Sequence, residues 1–178
     1  MQKKQKNSGG FTLIELLIVI AIIAIIAAVA FVAYDPLTRF KDSRDASRWS
    51  DVSAISEAIQ LDQVDNGGYY LTAIDNTTAD EWYMIVNGAT MVSGCDNSSA
   101  SCDVTVASST ACINLAGLIT EGYLGDMPVS ETSGTVTWDD GSGTTDEGTG
   151  YVLKRTATGA IIIQACESEN TNAIKVTR

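Results

Sequence analysis

The residue best placed to do chemistry near the start of this chain is Glu15, a carboxylate inside an apolar run. Of the twenty residues from Leu13 to Val32, Glu15 is the only one that is not Ala, Val, Ile, Leu or Phe. A charge at the centre of a bilayer costs about 2.5–3.5 kcal/mol, so an ionisable residue in such a run needs a functional reason. Glu15 is therefore a candidate functional residue.

An acidic, glycine-rich stretch at residues 139–148 supplies a second set of candidates. Its carboxylates are those of Asp139, Asp140, Asp146 and Glu147, and several hydroxyl groups lie between them. Oxygen atoms of this kind suit Ca²⁺, which takes about six to eight of them. The stretch lacks the full spacing of an EF-hand loop. Two interpretations therefore stay open, a calcium site and an ordinary acidic surface loop.

The chain has four cysteines, all beyond the apolar run, and no histidine. An even number of cysteines in a segment that would be exported predicts two disulfides, for which three pairings exist. We predict the pairs Cys95–Cys102 and Cys112–Cys166. A zinc site is the alternative, but the spacings contain no CxxC pair and the chain offers no histidine ligand.

Composition argues against an enzyme and against a general nucleic-acid-binding protein. Without histidine, a GxSxG motif or a phosphate-binding glycine loop, nucleophilic and metal-assisted hydrolysis lack their usual groups. The formal net charge is −11 at pH 7, and an acidic surface disfavours binding to phosphates. A small basic set could still contact DNA or protect a strand edge from aggregation; it comprises Lys154, Arg155, Lys175 and Arg178.

The apolar run predicts a membrane-spanning helix. Twenty residues form about 30 Å of helix, which matches the hydrocarbon core of a bilayer. Lys3, Lys4 and Lys6 precede it without any acidic residue, and the positive-inside rule keeps that end in the cytoplasm. A secretory signal peptide carries its small cleavage-site residues after the apolar region, whereas here Gly9 and Gly10 come before it. Cleavage at Gly10 would keep the helix in the product.

The segment Gly10-Phe11-Thr12-Leu13-Ile14-Glu15 and the apolar residues after it resemble the N-terminal signature of bacterial type IV pilins and pseudopilins. The resemblance implies that a prepilin peptidase cuts after Gly10, that Phe11 becomes an N-methylated terminus, and that Glu15 guides subunit addition. It also implies a precursor in the inner membrane, an assembly platform there as partner, and a homopolymeric filament at the cell surface. In the filament core, the N-terminal amine of one subunit and Glu15 of its neighbour would neutralise each other.

The helix is expected to continue beyond the membrane. After Asp35, apolar residues keep helical spacing, which predicts an amphipathic helix with one covered face; they are Leu37, Phe40, Trp49, Val52, Ile55 and Ile59. Pro36 predicts a bend or a melted turn, because it removes a backbone donor and clashes with the preceding turn. The sequence Asn66-Gly67-Gly68 predicts the end of the helix.

Charged residues of both signs fill positions 39–51. Pairs at helical spacing, such as Lys41 with Asp45, favour a solvated face that carries weak ion pairs. The alternative is that these charges bridge neighbouring subunits. Arg39, Arg44 and Arg48 belong to the same stretch.

Beyond Gly68 the chain changes to short β-prone runs between turn residues. Trp82 to Val86, Asn87-Gly88 and residues 89–92 predict a hairpin. A short helix is expected around residues 115–119, with Gly122 as its stop. Three further strands are predicted at 151–155, 160–165 and 174–177, the first two forming an antiparallel hairpin, and another candidate lies at 135–138.

These patterns predict an α+β protein in three parts. Residues 1–10 form a cleaved leader, and residues 11–66 form the long helix, of which 11–34 is the transmembrane or filament-core part and 35–66 the amphipathic part. Residues 67–178 form a globular head with disulfides. The resemblance implies that an antiparallel sheet in the head packs on the second half of the helix.

We predict a structural subunit of a type IV pilus-like filament. Two alternatives lie within the family, a pseudopilin of a type II secretion system and a minor pilin in DNA uptake. The disulfides and a head of about 110 residues favour a pilin, because the main pseudopilins usually have smaller heads without cysteines. A single-pass membrane-anchored protein with a ligand- or calcium-binding head is the alternative from another class.

Overall fold

The computed structural model describes residues 10–87, 102, 104, 112–130 and 147–178. The chain divides into two compact units between Phe40 and Lys41. The first unit holds helix α1 (Leu13–Tyr34) and the first residues of helix α2 (Pro36–Asp65). The second unit holds the rest of α2 and the sheet.

Helix α1 begins at Leu13, two residues after the predicted start at Phe11, and ends at Tyr34, the last residue of the predicted transmembrane part. Thr12 is its N-cap residue, in extended conformation, and the run behind it contains no glycine or proline. The helix ends at Asp35, whose φ of 36° is left-handed, because a following proline disfavours the helical conformation. The Oγ1 atom of Thr38 donates to Oδ2 of Asp35 at 2.7 Å and supports the start of α2. The predicted break at Pro36 is confirmed as an interruption between two helices.

The predicted end of α2 at Asn66-Gly67-Gly68 is also confirmed. Gly67 and Gly68 have φ of 67° and 99°, values that glycine adopts without steric cost. The N–H of Gly68 donates to the carbonyl of Gln63 at 2.7 Å, and that of Gly67 to the carbonyl of Val64 at 3.3 Å. These two bonds form a Schellman motif, which satisfies carbonyls that the helix leaves unpaired at its end.

One face of α2 is buried along most of the head. The buried positions follow i, i+3, i+4 spacing, and they are Asp45, Arg48, Val52, Ile55, Ile59 and Asp62. The centre of this stripe is apolar, whereas both of its ends are charged. The predicted apolar centre at Val52, Ile55 and Ile59 is confirmed. Three other residues predicted for this face are exposed, namely Leu37 (73%), Phe40 (64%) and Trp49 (41%). The first two precede the buried stripe, which begins at Asp45, and the stripe runs through Arg48 instead of Trp49.

Within the described residues, the head also contains two short helices and five strands. They are α3 (Thr72–Asp75), β1 (Trp82–Asn87), β2 (Cys112–Asn114), α4 (Ala116–Thr120), β3 (Glu147–Arg155), β4 (Ile161–Ala165) and β5 (Lys175–Thr177). The strands form one sheet in the order β2-β1-β3-β4-β5. All neighbours are antiparallel except β1 and β2, which are parallel.

The sheet confirms some strand predictions and corrects one. The β3–β4 hairpin and the edge strand β5 are where the sequence predicts them, and α4 ends before Gly122, whose φ is 85°. The hairpin predicted for β1 is wrong, because both edges of β1 are occupied, by β2 and by β3. The predicted return strand at 89–92 and the candidate strand at 135–138 lie outside the described residues.

The core of the head lies between α2 and one face of the sheet. Ile55 of α2 is fully buried, as are Ile85, Leu153 and Ile163 from three neighbouring strands, and all four belong to one cluster. Burying a side chain of this size stabilises the fold by about 1.5–3 kcal/mol. The structure therefore confirms the α+β fold, a long N-terminal helix followed by a mostly antiparallel sheet.

The opposite face of the sheet is covered as well. Met84 and Val152 are fully buried there, and with Cys166 they form a second cluster. Cys102 and Val104 pack against that cluster. Cys102 and Val104 therefore cover part of the sheet on the side away from α2.

Candidate functional site

The carboxylate of Glu15 is hydrogen-bonded within its own helix start. Its Oε2 atom accepts from the backbone N–H of Thr12 at 3.0 Å and from the Thr12 hydroxyl at 2.9 Å. The N–H of Glu15 donates back to the Thr12 hydroxyl at 3.3 Å. This reciprocal pattern is a capping box, which satisfies backbone donors that a helix leaves free at its N-terminus. Glu15 thus has a structural role in the single chain besides any role in assembly.

The predicted processing site is accessible. Gly10 and Phe11 precede α1 in non-helical conformation, and Phe11 is 88% exposed. A Cβ atom placed on Gly10 would meet nothing within 4 Å, so the fold around it leaves room for another molecule. The geometry permits cleavage between these two residues.

Helix α1 is long and apolar enough to cross a membrane. Its most apolar 18-residue window has a mean hydropathy of 3.4, and none of that window is buried within the protein. Large apolar side chains are exposed along the whole helix, from Leu13 at 83% to Val32 at 80%. So large an uncovered apolar surface requires lipid or other protein around it. The helix is therefore suited to membrane insertion.

The stretch predicted to be a solvated helix face is exposed at Arg39 and Lys41, but Asp45 and Arg48 are buried in an ion cluster. Arg48 is only 1% exposed, and its Nη1 atom donates to Oδ1 of Asp45 at 2.7 Å and to Oε1 of Glu169 at 3.0 Å. Its Nε atom donates to the Ser130 hydroxyl at 3.0 Å. Asp45 therefore pairs with Arg48, and the predicted pairing of Lys41 with Asp45 is wrong.

Hydrogen bonds and ion pairs of Asp45 and Glu169 hold the segment after β4 against α2. The backbone N–H groups of Glu169 and Asn170 donate to the Asp45 carboxylate at 2.9–3.2 Å. Burial opposes the ionisation of Asp45, but these N–H groups and Arg48 outweigh it and hold the pKa of its carboxyl below the usual value. Arg44, together with Arg48, lowers the pKa of Glu169 to about 2. All these carboxylates are therefore ionised at neutral pH.

Two further contacts join α2 and Ser130 to strand β3. The phenol of Tyr151, on β3, donates to Oδ2 of Asp51 at 2.5 Å, and burial together with this bond raises the pKa of Tyr151. Ser130 approaches the backbone closely at Gly150, where an added Cβ would lie 2.8 Å from the Ser130 Cβ. Gly150 also has a φ of 77°, so glycine is needed at that position for both reasons.

The structure corrects the disulfide pairing. Cys102 is bonded to Cys166, a sequence separation of 64, whereas sequence analysis paired Cys102 with Cys95. Cys112 is also disulfide-bonded. The predicted bond between Cys112 and Cys166 is therefore wrong, since Cys166 already has its partner, and Cys95 lies outside the described residues. Cys102 packs on the outer face of the sheet, against the cluster that contains Cys166, which directly follows β4.

The calcium prediction falls almost entirely outside the described residues. Asp139, Asp140 and Asp146 lie there, and so does the side chain of Glu147, whose backbone begins β3. Within the described part of the chain, no group of three or more His, Cys, Asp or Glu side chains is arranged to hold a metal ion. Calcium binding by residues 139–147 stays a prediction.

The predicted basic set is divided between the two faces of the sheet. Neighbouring residues of a strand point to opposite faces, so Lys154 and Arg155 diverge. Lys154 lies over the Trp82 ring, 4.6 Å from its centroid, whereas the Arg155 guanidinium donates to the carbonyl of Thr77 at 2.6 Å. Lys175 shares the face of Lys154, because its partner Gln164 is also the partner of Val152. The four residues therefore do not form one patch for DNA.

Comparison with known proteins bears on the N-terminal segment alone. A family model described as the prokaryotic N-terminal methylation motif matches residues 5–31. That range includes Gly10, Phe11, Glu15 and most of α1, and it includes no residue of the head. No curated protein and no solved structure matches the chain. At residues 5–31 the chain therefore carries the N-terminal methylation motif, which is the class III signal peptide of type IV pilins.

Proposed function

We propose that this protein is the structural subunit of a type IV pilus-like filament. A prepilin peptidase cuts the precursor after Gly10, Phe11 is N-methylated, and the mature chains polymerise through α1. The observation that carries the proposal is the methylation motif at residues 5–31 on a helix whose apolar surface is wholly uncovered. Lipid covers that surface before assembly, and the α1 helices of other subunits cover it in the filament.

Glu15 is proposed as the assembly carboxylate. In the single chain its partners are the neutral N–H and hydroxyl of Thr12, which satisfy hydrogen bonds but do not neutralise the charge. Cleavage after Gly10 creates an ammonium group at Phe11, and the ammonium of a neighbouring subunit supplies the opposite charge. In a low-dielectric filament core neither charge is tolerable alone, so the pair favours correct addition of each subunit.

The first experiment tests processing and assembly together. The chain is expressed in a bacterium that assembles type IV pili, with and without an active prepilin peptidase, and surface filaments are sheared off. Mass spectrometry of the filaments should find a chain that begins with N-methylated Phe11, and the strain without peptidase should retain the leader and yield no filaments of this chain. A chain that is absent from the sheared fraction in both strains contradicts the proposal.

The second experiment separates the charge of Glu15 from its capping role. Glu15→Gln keeps an N3 side chain that can complete the capping box but removes the charge. We expect normal cleavage and no incorporation into filaments for this variant and for Glu15→Leu. Glu57→Gln, which removes an exposed carboxylate from α2, serves as the matched control. Normal incorporation of Glu15→Gln would refute the assigned role.

The same fractions distinguish the alternative functions. A major subunit forms most of the sheared material, whereas a minor pilin or a pseudopilin of a type II secretion system is a small fraction beside another subunit. A membrane-anchored ligand-binding protein would stay with the inner membrane whether or not the peptidase is active. Subunit abundance in the sheared fraction therefore decides between these functions.

A further inference from the structure

A cleft of about 330 Å³ opens at the C-terminal end of α2, away from the ion cluster. The residues that matter for its chemistry are Asp62, Asn66, Tyr69, Tyr70, Leu71 and Glu121. It is therefore lined by two carboxylates, one amide, two phenol rings and an aliphatic side chain. Neither lysine nor arginine is among the described residues that line it.

One oxygen atom of the buried Asp62 carboxylate has no hydrogen-bond partner within the described part of the chain. The residue is 0% exposed, and its Oδ1 atom accepts from Nδ2 of Asn66 at 2.8 Å. Its Oδ2 atom has no hydrogen-bond partner among the described residues. A carboxylate has about four acceptor sites, and a buried charge with unfilled sites is costly. Asp62 is among the residues that line the cleft, so a donor in the cleft, above all a charged one, would remove that cost once the side chains around Oδ2 moved aside to admit it.

The electrostatics of this end of the head favour a cation. The phenol of Tyr123 donates to Asp65 at 2.8 Å, and this bond, burial, and the nearby charges of Asp65, Glu121 and Asp62 raise the pKa of Tyr123 to about 12. The cleft also adjoins the last turn of α2, where the helix dipole carries its negative end. Three carboxylates and the C-terminus of α2 therefore all contribute negative potential that attracts a cation.

The lining of the cleft suits an organic cation better than a metal ion. No three His, Cys, Asp or Glu side chains are arranged to hold a metal ion there or elsewhere in the described chain, whereas Ca²⁺ needs about six to eight oxygen ligands. Tyr69 and Tyr70 offer aromatic faces, which attract cations, and Leu71 offers apolar surface for a methylene chain. We propose that this cleft binds a primary alkylammonium group, as carried by a lysine side chain or a small amine.

The site is held in place without a ligand. The Tyr70 phenol donates to the carbonyl of Gly159 at 3.0 Å, which ties its ring to the β3–β4 turn. The Schellman motif at Gly67 and Gly68 fixes the chain between Asp62 and Tyr69. Because these groups are already ordered, binding does not need to order them. No residue of α1 lines the cleft, so the proposed binding does not rest on the proposed polymerisation.

The test is an NMR titration of the full-length, ¹⁵N-labelled protein in detergent micelles. The probes are Nα-acetyl-lysine methylamide, its uncharged analogue Nα-acetyl-norleucine methylamide, pentylamine and CaCl₂. We expect saturable shifts of the Asn66, Tyr69 and Tyr70 amide signals with both amines, and none at those signals with the norleucine analogue or CaCl₂. Tighter binding of the lysine derivative than of pentylamine identifies a protein side chain as the source, and the reverse order identifies a free amine.

Two variants remove the charge from the cleft, and one serves as control. Asp62→Asn and Glu121→Gln should each weaken amine binding, Asp62→Asn by about 10- to 100-fold, because a hydrogen bond to a charged group is lost. Glu57→Gln removes a carboxylate from the same helix outside the cleft and should leave binding unchanged. Glu121 is exposed, so its variant folds even if Asp62→Asn does not. Equal binding of the norleucine analogue, or equal weakening by Glu57→Gln, overturns the proposal.

Discussion

Replacing Arg48 with methionine tests whether the buried ion cluster holds the head together. The side chain is 1% exposed and bonds Asp45, Glu169 and Ser130 at 2.7–3.0 Å. Methionine has a similar length and is helix-favouring, so the variant removes the charge and the donors with little change to the helix itself. What remains is a pair of poorly exposed carboxylates close together without their shared cation.

The expected loss in the free energy of unfolding depends on which partners each carboxylate keeps in the variant. Removing one partner of a buried ion pair costs about 3–5 kcal/mol. Asp45 keeps the N–H groups of Glu169 and Asn170, and Glu169 keeps Arg44, so the lower end of that range applies. A loss of about 3 kcal/mol corresponds to a fall in melting temperature of about 6–12 °C for a chain of this size.

Near-UV circular dichroism of the full-length protein in detergent would follow the melting of the head. Arg39→Met is the matched control, because Arg39 is an exposed arginine of the same helix. Adding Asp45→Asn to Arg48→Met should recover part of the loss, because it removes a charge left without its counter-ion. If Arg48→Met melts within about 2 °C of Arg39→Met, the cluster contributes little and the reasoning is refuted.

Acid should weaken the same cluster, because Arg44 and Arg48 lower the pKa of Glu169 from its ordinary 4.5 to about 2. The stabilisation from Glu169 is then complete above about pH 5 and is lost as the pH falls towards 2. The melting temperatures of the native chain and of Glu169→Gln should therefore converge at low pH. If the two curves stay parallel across this range, Glu169 is not the residue responsible. Replacing Cys102 and Cys166 with serine should lower the free energy of unfolding by about 4 kcal/mol, because the bond closes a loop of 64 residues. Urea unfolding measures this loss, and a double variant as stable as the native chain would show that the bond does not constrain the unfolded state.

The parts of the fold that sequence predicts are those set by local signals. The existence of α1 follows from the apolar run that begins at Leu13, whereas the capping box of Thr12 and Glu15 was found only in the structure. Its end follows from Pro36, and the end of α2 from the paired glycines at 67 and 68. In each case a few neighbouring residues fix the backbone conformation, so no knowledge of distant contacts is needed.

The parts that sequence missed depend on residues far apart in the chain. Arg48 is surrounded by other charged residues, and arginine is mostly exposed in proteins, so its burial could not be inferred without Glu169, 121 positions away. Strand β2 pairs in parallel with β1, which requires a long connection rather than a turn. Cys102 likewise bonds a residue 64 positions away rather than its neighbour in sequence.

In the proposed assembly, the carboxylate of Glu15 already has hydrogen-bond partners before polymerisation. Its Oε2 atom already accepts two hydrogen bonds from Thr12, so the single subunit fills part of the acceptor sites of the carboxylate without neutralising its charge. Opposite unit charges about 4 Å apart attract by roughly 4 kcal/mol at an effective dielectric constant of about 20. Only an ammonium group, such as that of Phe11 in a neighbouring subunit, supplies that attraction. In the proposed filament the charge of Glu15 would therefore favour the polymer over the single chain, while its hydrogen bonds to Thr12 would be available in both.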